Sequence, residues 1–235
     1  MDQLFQNEVV VVAFTIGVYY GAQKLQLKTQ ILLLNPILMT MIVIIGWLTL
    51  FHIDYQTYYK GSKYIHFLLK PAIVALGVPL YHQYEKIRKQ ALSIILSQLW
   101  GCITGVVSVV LVAKAMGASR EVIFALAPKS VTTPIAVEIS KTLGGIPPLT
   151  ASVVIVVGIL GAIGGYPLLK LVGVTNPMAQ GLAMGNAAHA IGTSKSMEIS
   201  PNFGAMSSVG LIVNGLFTAL LAPYILKLLA FWITF

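Results

Sequence analysis

Two stretches of this chain carry side chains able to do chemistry in otherwise apolar surroundings. The first reads Pro128-Lys129-Ser130-Val131-Thr132-Thr133-Pro134. It sets two prolines, a cation and three hydroxyls between the apolar Val122–Ala127 and a helix-like segment, Ile135–Leu143, that carries Glu138. Proline lacks the backbone donor and disfavours helix in the residue before it, so the stretch predicts two short helical pieces with an unwound joint. At membrane depth such a joint is tolerated only where it is buried in protein or lines a wet cavity. Lys129, the hydroxyls of Ser130, Thr132 and Thr133, and free amides converging at a helix N-terminus form an anion site. The plainer alternative is a surface loop holding solvated charges.

The second stretch runs from Gly181 to Pro201. On a helix, Asn186, His189 and Thr193 are three and four residues apart and share one polar face. Gly192 then predicts a break or turn, after which Lys195 and Glu198 are again three apart and can pair. An ionisable residue inside a membrane is expensive and marks a functional site by default. The imidazole titrates near neutral pH, which makes His189 a candidate to carry a coupled proton or to hydrogen-bond a carboxylate. Its plainer reading is a histidine satisfied by a neighbouring helix carbonyl. Glu198 is the second candidate proton carrier, and its plainer reading is an interfacial ion pair with Lys195. Asn214, inside the final apolar run, reads as an interhelical hydrogen bond.

The elements that must position these residues are membrane helices. With 57% hydrophobic and 9% charged residues and a mean hydropathy of +0.86, the 235 residues do not compose a soluble domain. Runs long enough to cross a bilayer, which takes about 20 residues, occur at Ile31–Phe51, Gln90–Ala113, Thr142–Leu169 and Ile199–Leu226. Shorter candidates are Val9–Ala22, Ile65–Tyr81 and Met178–Ala190. The fold class expected is therefore an all-α polytopic integral membrane protein, with about seven to eight transmembrane segments that include broken or re-entrant helices. The start carries Asp2 and Glu8 and no basic leader, so no cleavable signal is expected. The formal charge is +8, and cations in short loops (Lys24 and Lys28; Lys86, Arg88 and Lys89) fit the positive-inside pattern rather than a nucleic-acid face, with the Lys60/Lys63 loop falling outside against that rule. Cys102 is the single cysteine and reads as a small buried apolar residue.

Punctuation along the chain suggests an internal repeat. Asn35-Pro36 marks a helix start, and Asn176-Pro177 repeats it. Val78-Pro79-Leu80-Tyr81 is loosely echoed, at nearly the same offset, by Ala222-Pro223-Tyr224. Residues 1–84 then form a first repeat half, 85–148 the central spans with the broken helix, and 149–235 the second half. An odd number of crossings between the copies would invert them, as in many secondary transporters. Pro71, Gly77 and Pro79 predict a kinked third span. Gly101-xxx-Gly105 and Gly161-xxx-Gly165 let helix backbones approach closely, and such spacings also suit a homodimer. Gly144-Gly145 and Pro147-Pro148 punctuate the chain before the long span that follows. A channel would want a continuous polar stripe on several helices, which the first, second and fourth spans lack on this reading. Only Ser194 or Ser196 near His189 could be stretched into a nucleophile–base pair, and no metal cluster or cofactor motif is legible, so no enzyme is expected.

At these residues the sequence resembles the LrgB/CidB family of bacterial inner-membrane proteins, often called antiholin-like. The resemblance covers nearly the whole chain. It rests on Leu34-Asn35-Pro36, on Leu69-Lys70-Pro71-Ala72-Ile73-Val74-Ala75-Leu76-Gly77-Val78-Pro79-Leu80-Tyr81, on Pro128 to Ala136, and on Gly181-Leu182-Ala183-Met184-Gly185 running into His189-Ala190-Ile191-Gly192-Thr193. Lys70 departs from the polar or small residue expected before that proline. The resemblance implies two competing functions. One is modulation of murein hydrolase export and cell lysis together with a small holin-like (LrgA/CidA-like) membrane partner. The other, through similarity to the plastidal glycolate/glycerate translocator, is transport of small monocarboxylates such as glycolate, glycerate or pyruvate.

The inventory of residues favours the carrier, because a pore-blocking scaffold needs no buried lysine, hydroxyl cluster and histidine on broken helices. The expectation is an elevator-like or rocking secondary transporter of the bacterial cytoplasmic membrane. Lys129 supplies the cation, Ser130, Thr132 and Thr133 orient the carboxylate, Asn186 and His189 complete the pocket, and Thr193 and Glu198 stand behind them.

Overall fold

A computed structural model of the chain describes residues 7–29, 31, 34–75, 78, 81 and 84–232. Every regular element among them is helical: α1 (Glu8–Thr29), α2 (Pro36–Leu50), α3 (Tyr55–Gly61), α4 (Lys63–Ala75), α5 (Tyr84–Lys89), α6 (Ala91–Ala115), α7 (Arg120–Leu126), α8 (Thr133–Leu143), α9 (Pro147–Leu171), α10 (Pro177–Ile199) and α11 (Pro201–Trp232). The chain divides into two compact units, residues 1–74 and 75–235.

The first unit packs α1 against α2 and α3. Val11 and Ile53 are its buried centre, with Phe14, Trp47, Leu48 and Tyr58 around them. Thr15 and Tyr58 share a 2.9 Å hydrogen bond, and Glu8 pairs with Lys63. Helix α4 runs through Pro71 to Ala75, whereas Gly77 and Pro79 of the expected kink lie outside the described residues.

The second unit holds both chemical stretches. Three of its helices, α6, α9 and α11, are long and apolar enough to cross a membrane, and α2 of the first unit is a shorter apolar helix. Among the described residues these are three full-length spans, where the sequence predicts about seven to eight segments with broken or re-entrant helices counted among them. Helix α10 shows one reason for the difference. At 23 residues it has the length of a span, but it is not apolar enough to be one on composition. It packs between α9 and α11 and against α6, so its Gln180, His189, Thr193 and Ser196 are buried against protein rather than lipid. Small residues permit that approach. A Cβ at Gly161 or Gly165 of α9 would run into Ala188 or Met184 of α10. The Gly161-xxx-Gly165 spacing is therefore used within the chain.

Both Asn-Pro dipeptides do the same local work. Asn35 Oδ1 accepts from the amides of Ile37 at 2.9 Å and Leu38 at 3.4 Å. Asn176 Oδ1 accepts from Met178 at 2.9 Å and Ala179 at 3.3 Å. Each asparagine satisfies two of the amides a helix start leaves open, and the proline behind it needs none. The span expected from Thr142 begins instead at Pro147, because Gly144 takes a left-handed conformation, with φ at 81°, and stops α8.

Candidate functional site

The chain breaks between Pro128 and Pro134 as the proline spacing requires. Helix α7 ends at Leu126 and α8 starts at Thr133. The joint is fixed from below. Val131 is fully buried and packs with Ala136, Ile139, Val154 and Ala222. Thr150 on α9 donates to the carbonyl of Ala125 at 2.9 Å and lies 2.7 Å from Ser140 Oγ, tying α7 and α8 to one helix. The joint does not offer all of its amides to a ligand. Those of Lys129 and Val131 donate to the carbonyls of Leu126 and Pro128 in tight turns, so the expectation of free amides there does not hold for these two.

Helix α10 is also broken, at a residue other than the one its glycines suggest. The backbone leaves helical geometry at His189, with φ 42° and ψ −136°. Gly192, expected to be the break, lies in the helix. A Cβ there would sit 2.5 Å from the Ala188 Cβ and 2.9 Å from the Met184 carbonyl. Its smallness accommodates the kink that His189 makes.

Between α6, the joint, α9 and α10 lies a cavity of about 860 Å³, within the range of ligand sites. Lys129, Ser130 and Asn186 line it. Lys129 Nζ donates to Ser130 Oγ at 3.1 Å. Among the described residues it is the single charged side chain in the cavity wall, and no carboxylate among them stands within ion-pair range of it. Asn186 Nδ2 donates to Gln98 Oε1 at 2.6 Å. Gln98, 2% exposed, belongs to α6 and reaches the Leu182 carbonyl at 3.5 Å.

The remaining predicted site residues do not line the cavity. Thr132 is buried at the N-cap of α8 without a side-chain partner, and Thr133 is the first residue of that helix. The kink rotates His189 and Thr193 off the face of Asn186, which corrects the shared face expected from spacing. His189, 2% exposed, faces Gly158 of α9, and its Nε2 lies 2.7 Å from the Val154 carbonyl. A carbonyl only accepts, so Nε2 carries the proton and the plainer reading of this histidine holds. Thr193 bonds the His189 carbonyl and Ser207 Oγ, both at 2.9 Å. Glu198 pairs with Lys195 at 2.7 Å and is 64% exposed. Ser194 and Ser196 bond the carbonyls of Ala190 and Gly192 in their own helix. Asn214 makes the interhelical bonds expected of it.

The sequence reading missed α6. Gln90, Ser93, Ser97, Gly101, Thr104, Gly105 and Ser108 line the cavity and recur three or four residues apart, which puts them on one helix face. The fourth span therefore does carry a polar stripe. Ser97, Thr104 and Ser108 donate to carbonyls of the preceding turn, so each is satisfied within an apolar helix. Rotation about χ1 can exchange that bond for one to a ligand or water.

A helical, multi-pass membrane protein whose cavity, largely apolar but carrying Lys129, Ser130 and Asn186, lies between two broken segments is the class these features define. The chain matches the LrgB-like family over residues 15–228, and it belongs to that family. It is 36% identical over 224 residues to the protein named holin-like protein CidB of Staphylococcus epidermidis, covering 95% of this chain and 98% of that one. Its identity to the Staphylococcus aureus protein of the same name is also 36%, over the same shares. It is 35% identical over 220 residues to a protein named only as YxaC of Bacillus subtilis, covering 94% of this chain and 96% of that one. No solved structure matches the chain.

Proposed function

We propose that the protein is a secondary carrier of small organic monoanions, of the glycolate, glycerate or pyruvate class, in a bacterial cytoplasmic membrane. The observation that carries this reading is Lys129, a cation in the wall of a cavity that among the described residues holds no carboxylate. An ammonium group away from bulk water is costly unless an opposite charge meets it. Here a ligand supplies that charge. Ser130 stands beside Lys129, and Asn186, held by Gln98 of α6, faces them from α10, an arrangement that orients a carboxylate and reads a neighbouring hydroxyl or carbonyl. In this proposal His189 and Glu198 hold structure rather than protons. The two Asn-Pro caps support the further proposal that the chain is an inverted repeat, divided at residues 1–84, 85–148 and 149–235, moving in an elevator-like or rocking manner.

Charge is the discriminating property. Uptake of labelled glycolate into liposomes holding only this protein should be inhibited by unlabelled glycolate and pyruvate and not by glycolamide, which has nearly the same shape without the charge. Equal inhibition by glycolamide would remove Lys129 from its role. A second reading has its own support. The printed names of the staphylococcal relatives, holin-like protein CidB, favour a holin-like part in lysis over a carrier. Under that reading the purified protein alone moves no anion, and addition of a small membrane partner changes membrane permeability instead.

A further inference from the structure

Asn214 lies in the long helix α11 and is 1% exposed. Its side-chain amide donates to the carbonyl of Ser130 at 3.2 Å and to the carbonyl of Asn186 at 3.0 Å. The first carbonyl belongs to the joint between α7 and α8, and the second to the turn of α10 just before the kink at His189. Backbone carbonyls at helix breaks lose the amides they would meet in a continuous helix and need replacements. One NH2 group supplies both. The two residues held this way also present their side chains to the cavity, and both rest on α6. A Cβ at Gly101 would meet the Asn186 amide at 2.6 Å, and one at Gly105 would meet Ser130 Oγ at 3.8 Å. Between those glycines sits Cys102, 2% exposed. Its Sγ lies 3.4 Å from Thr218 Oγ1, which in turn donates to Asn214 Oδ1 at 3.4 Å.

We propose that Asn214 is a positioning residue that clamps the two helix breaks to each other, so that Lys129, Ser130 and Asn186 face one ligand and shift against α6 as one body, with Cys102 at the seam. The part of this inference that concerns ligand affinity rests on the carrier reading; the clamp itself does not. Removing both donors while keeping the volume, as in Asn214→Leu, takes the side-chain amide away from the carbonyls of Ser130 and Asn186 and lets the breaks separate. Affinity for anion then falls and the seam opens. Loss of two hydrogen bonds predicts a rise in KM of roughly tenfold or more, with kcat within about twofold, since Asn214 touches no substrate.

The native cysteine makes the clamp measurable without a transport assay. Full-length wild type, Asn214→Leu, Asn214→Asp and Thr218→Val are purified in one detergent and checked for a single size-exclusion peak. Each is then treated with N-ethylmaleimide well below its unfolding temperature, and modification of Cys102 is followed by intact mass. Asn214→Asp keeps the shape and lacks the amide donors, so it carries the test if the leucine variant does not fold. The clamp predicts slow modification of wild type and Thr218→Val and at least tenfold faster modification of the folded Asn214 variants. Wild-type rates in those variants, or equal acceleration in Thr218→Val, would overturn it. Faster modification in a protein that moves no glycolate would keep the clamp and refute the carrier. An unchanged KM in a protein that does move glycolate would overturn the positioning role.

Discussion

Gly101→Ala is the smallest change that tests the contact between α6 and α10. A Cβ at that position would lie 2.6 Å from Asn186 Nδ2 and 2.8 Å from its Cγ and Oδ1. Comfortable contact begins near ~3.5 Å, so the amide must retreat by about 1 Å. Its bond to Gln98 is 2.6 Å long, and a retreat of that size takes it past the useful range of about 3.2 Å. Overpacking costs about 1–3 kcal/mol and the lost bond about 1 kcal/mol. Alanine in place of a helical glycine returns up to about 1 kcal/mol. The balance is a destabilisation of about 1–3 kcal/mol, or a fall of roughly 2–10 °C in unfolding midpoint for a chain of this size. Gly164 of α9 is the control, because a Cβ there meets nothing within 4 Å and only the helix gain remains. Thermal unfolding of both variants in one detergent, followed by tryptophan fluorescence, should move them in opposite directions. Adding Asn186→Ala to Gly101→Ala should recover most of the loss. A Gly101→Ala protein that unfolds at or above the wild-type temperature would refute the geometry on which the cavity is built.

Three further outcomes follow from the same contacts. Gln98→Leu removes the acceptor of Asn186 and should raise the KM for uptake by roughly tenfold with membrane insertion intact; an unchanged KM would take Gln98 out of the site. His189→Val places a β-branched residue at φ 42°, where asparagine is better tolerated. It should therefore unfold at a lower temperature than His189→Asn, by an amount equivalent to about 1–3 kcal/mol, and the reverse order would mean that the kink is not held by that residue. Glu198→Gln should leave any response of uptake to an imposed pH gradient unchanged, because Glu198 is exposed and paired with Lys195; loss of the response would return proton carriage to that carboxylate.

The features legible in the sequence were those set by local backbone chemistry. Two prolines six residues apart dictated the joint at 128–134, and the Asn-Pro dipeptides dictated two helix starts. Asn214 announced itself as an amide in the middle of an apolar run. The failures came where three-dimensional neighbours decide. Gly192 carried the conformational freedom, but the break fell on His189, whose strained backbone is held by Val154 on a helix 35 residues away in sequence. Spacing placed Asn186, His189 and Thr193 on one face, an argument valid only for an unbroken helix. The cavity wall on α6 was available to the same periodicity argument, since Ser93, Ser97, Thr104 and Ser108 repeat at helical spacing. Those hydroxyls were hidden by the hydrophobicity of the span around them. The glycine pair on α9 receives α10 of the same chain, which spacing could not specify because sequence does not say which helix a groove receives.

The central claim is that Lys129 meets an anionic ligand. It is tested most directly by uptake of labelled glycolate into liposomes containing only the purified protein, as wild type and as Lys129→Ala, at matched protein insertion. The account predicts saturable uptake by wild type and none above empty liposomes for Lys129→Ala. Uptake by the variant equal to that of wild type would contradict it.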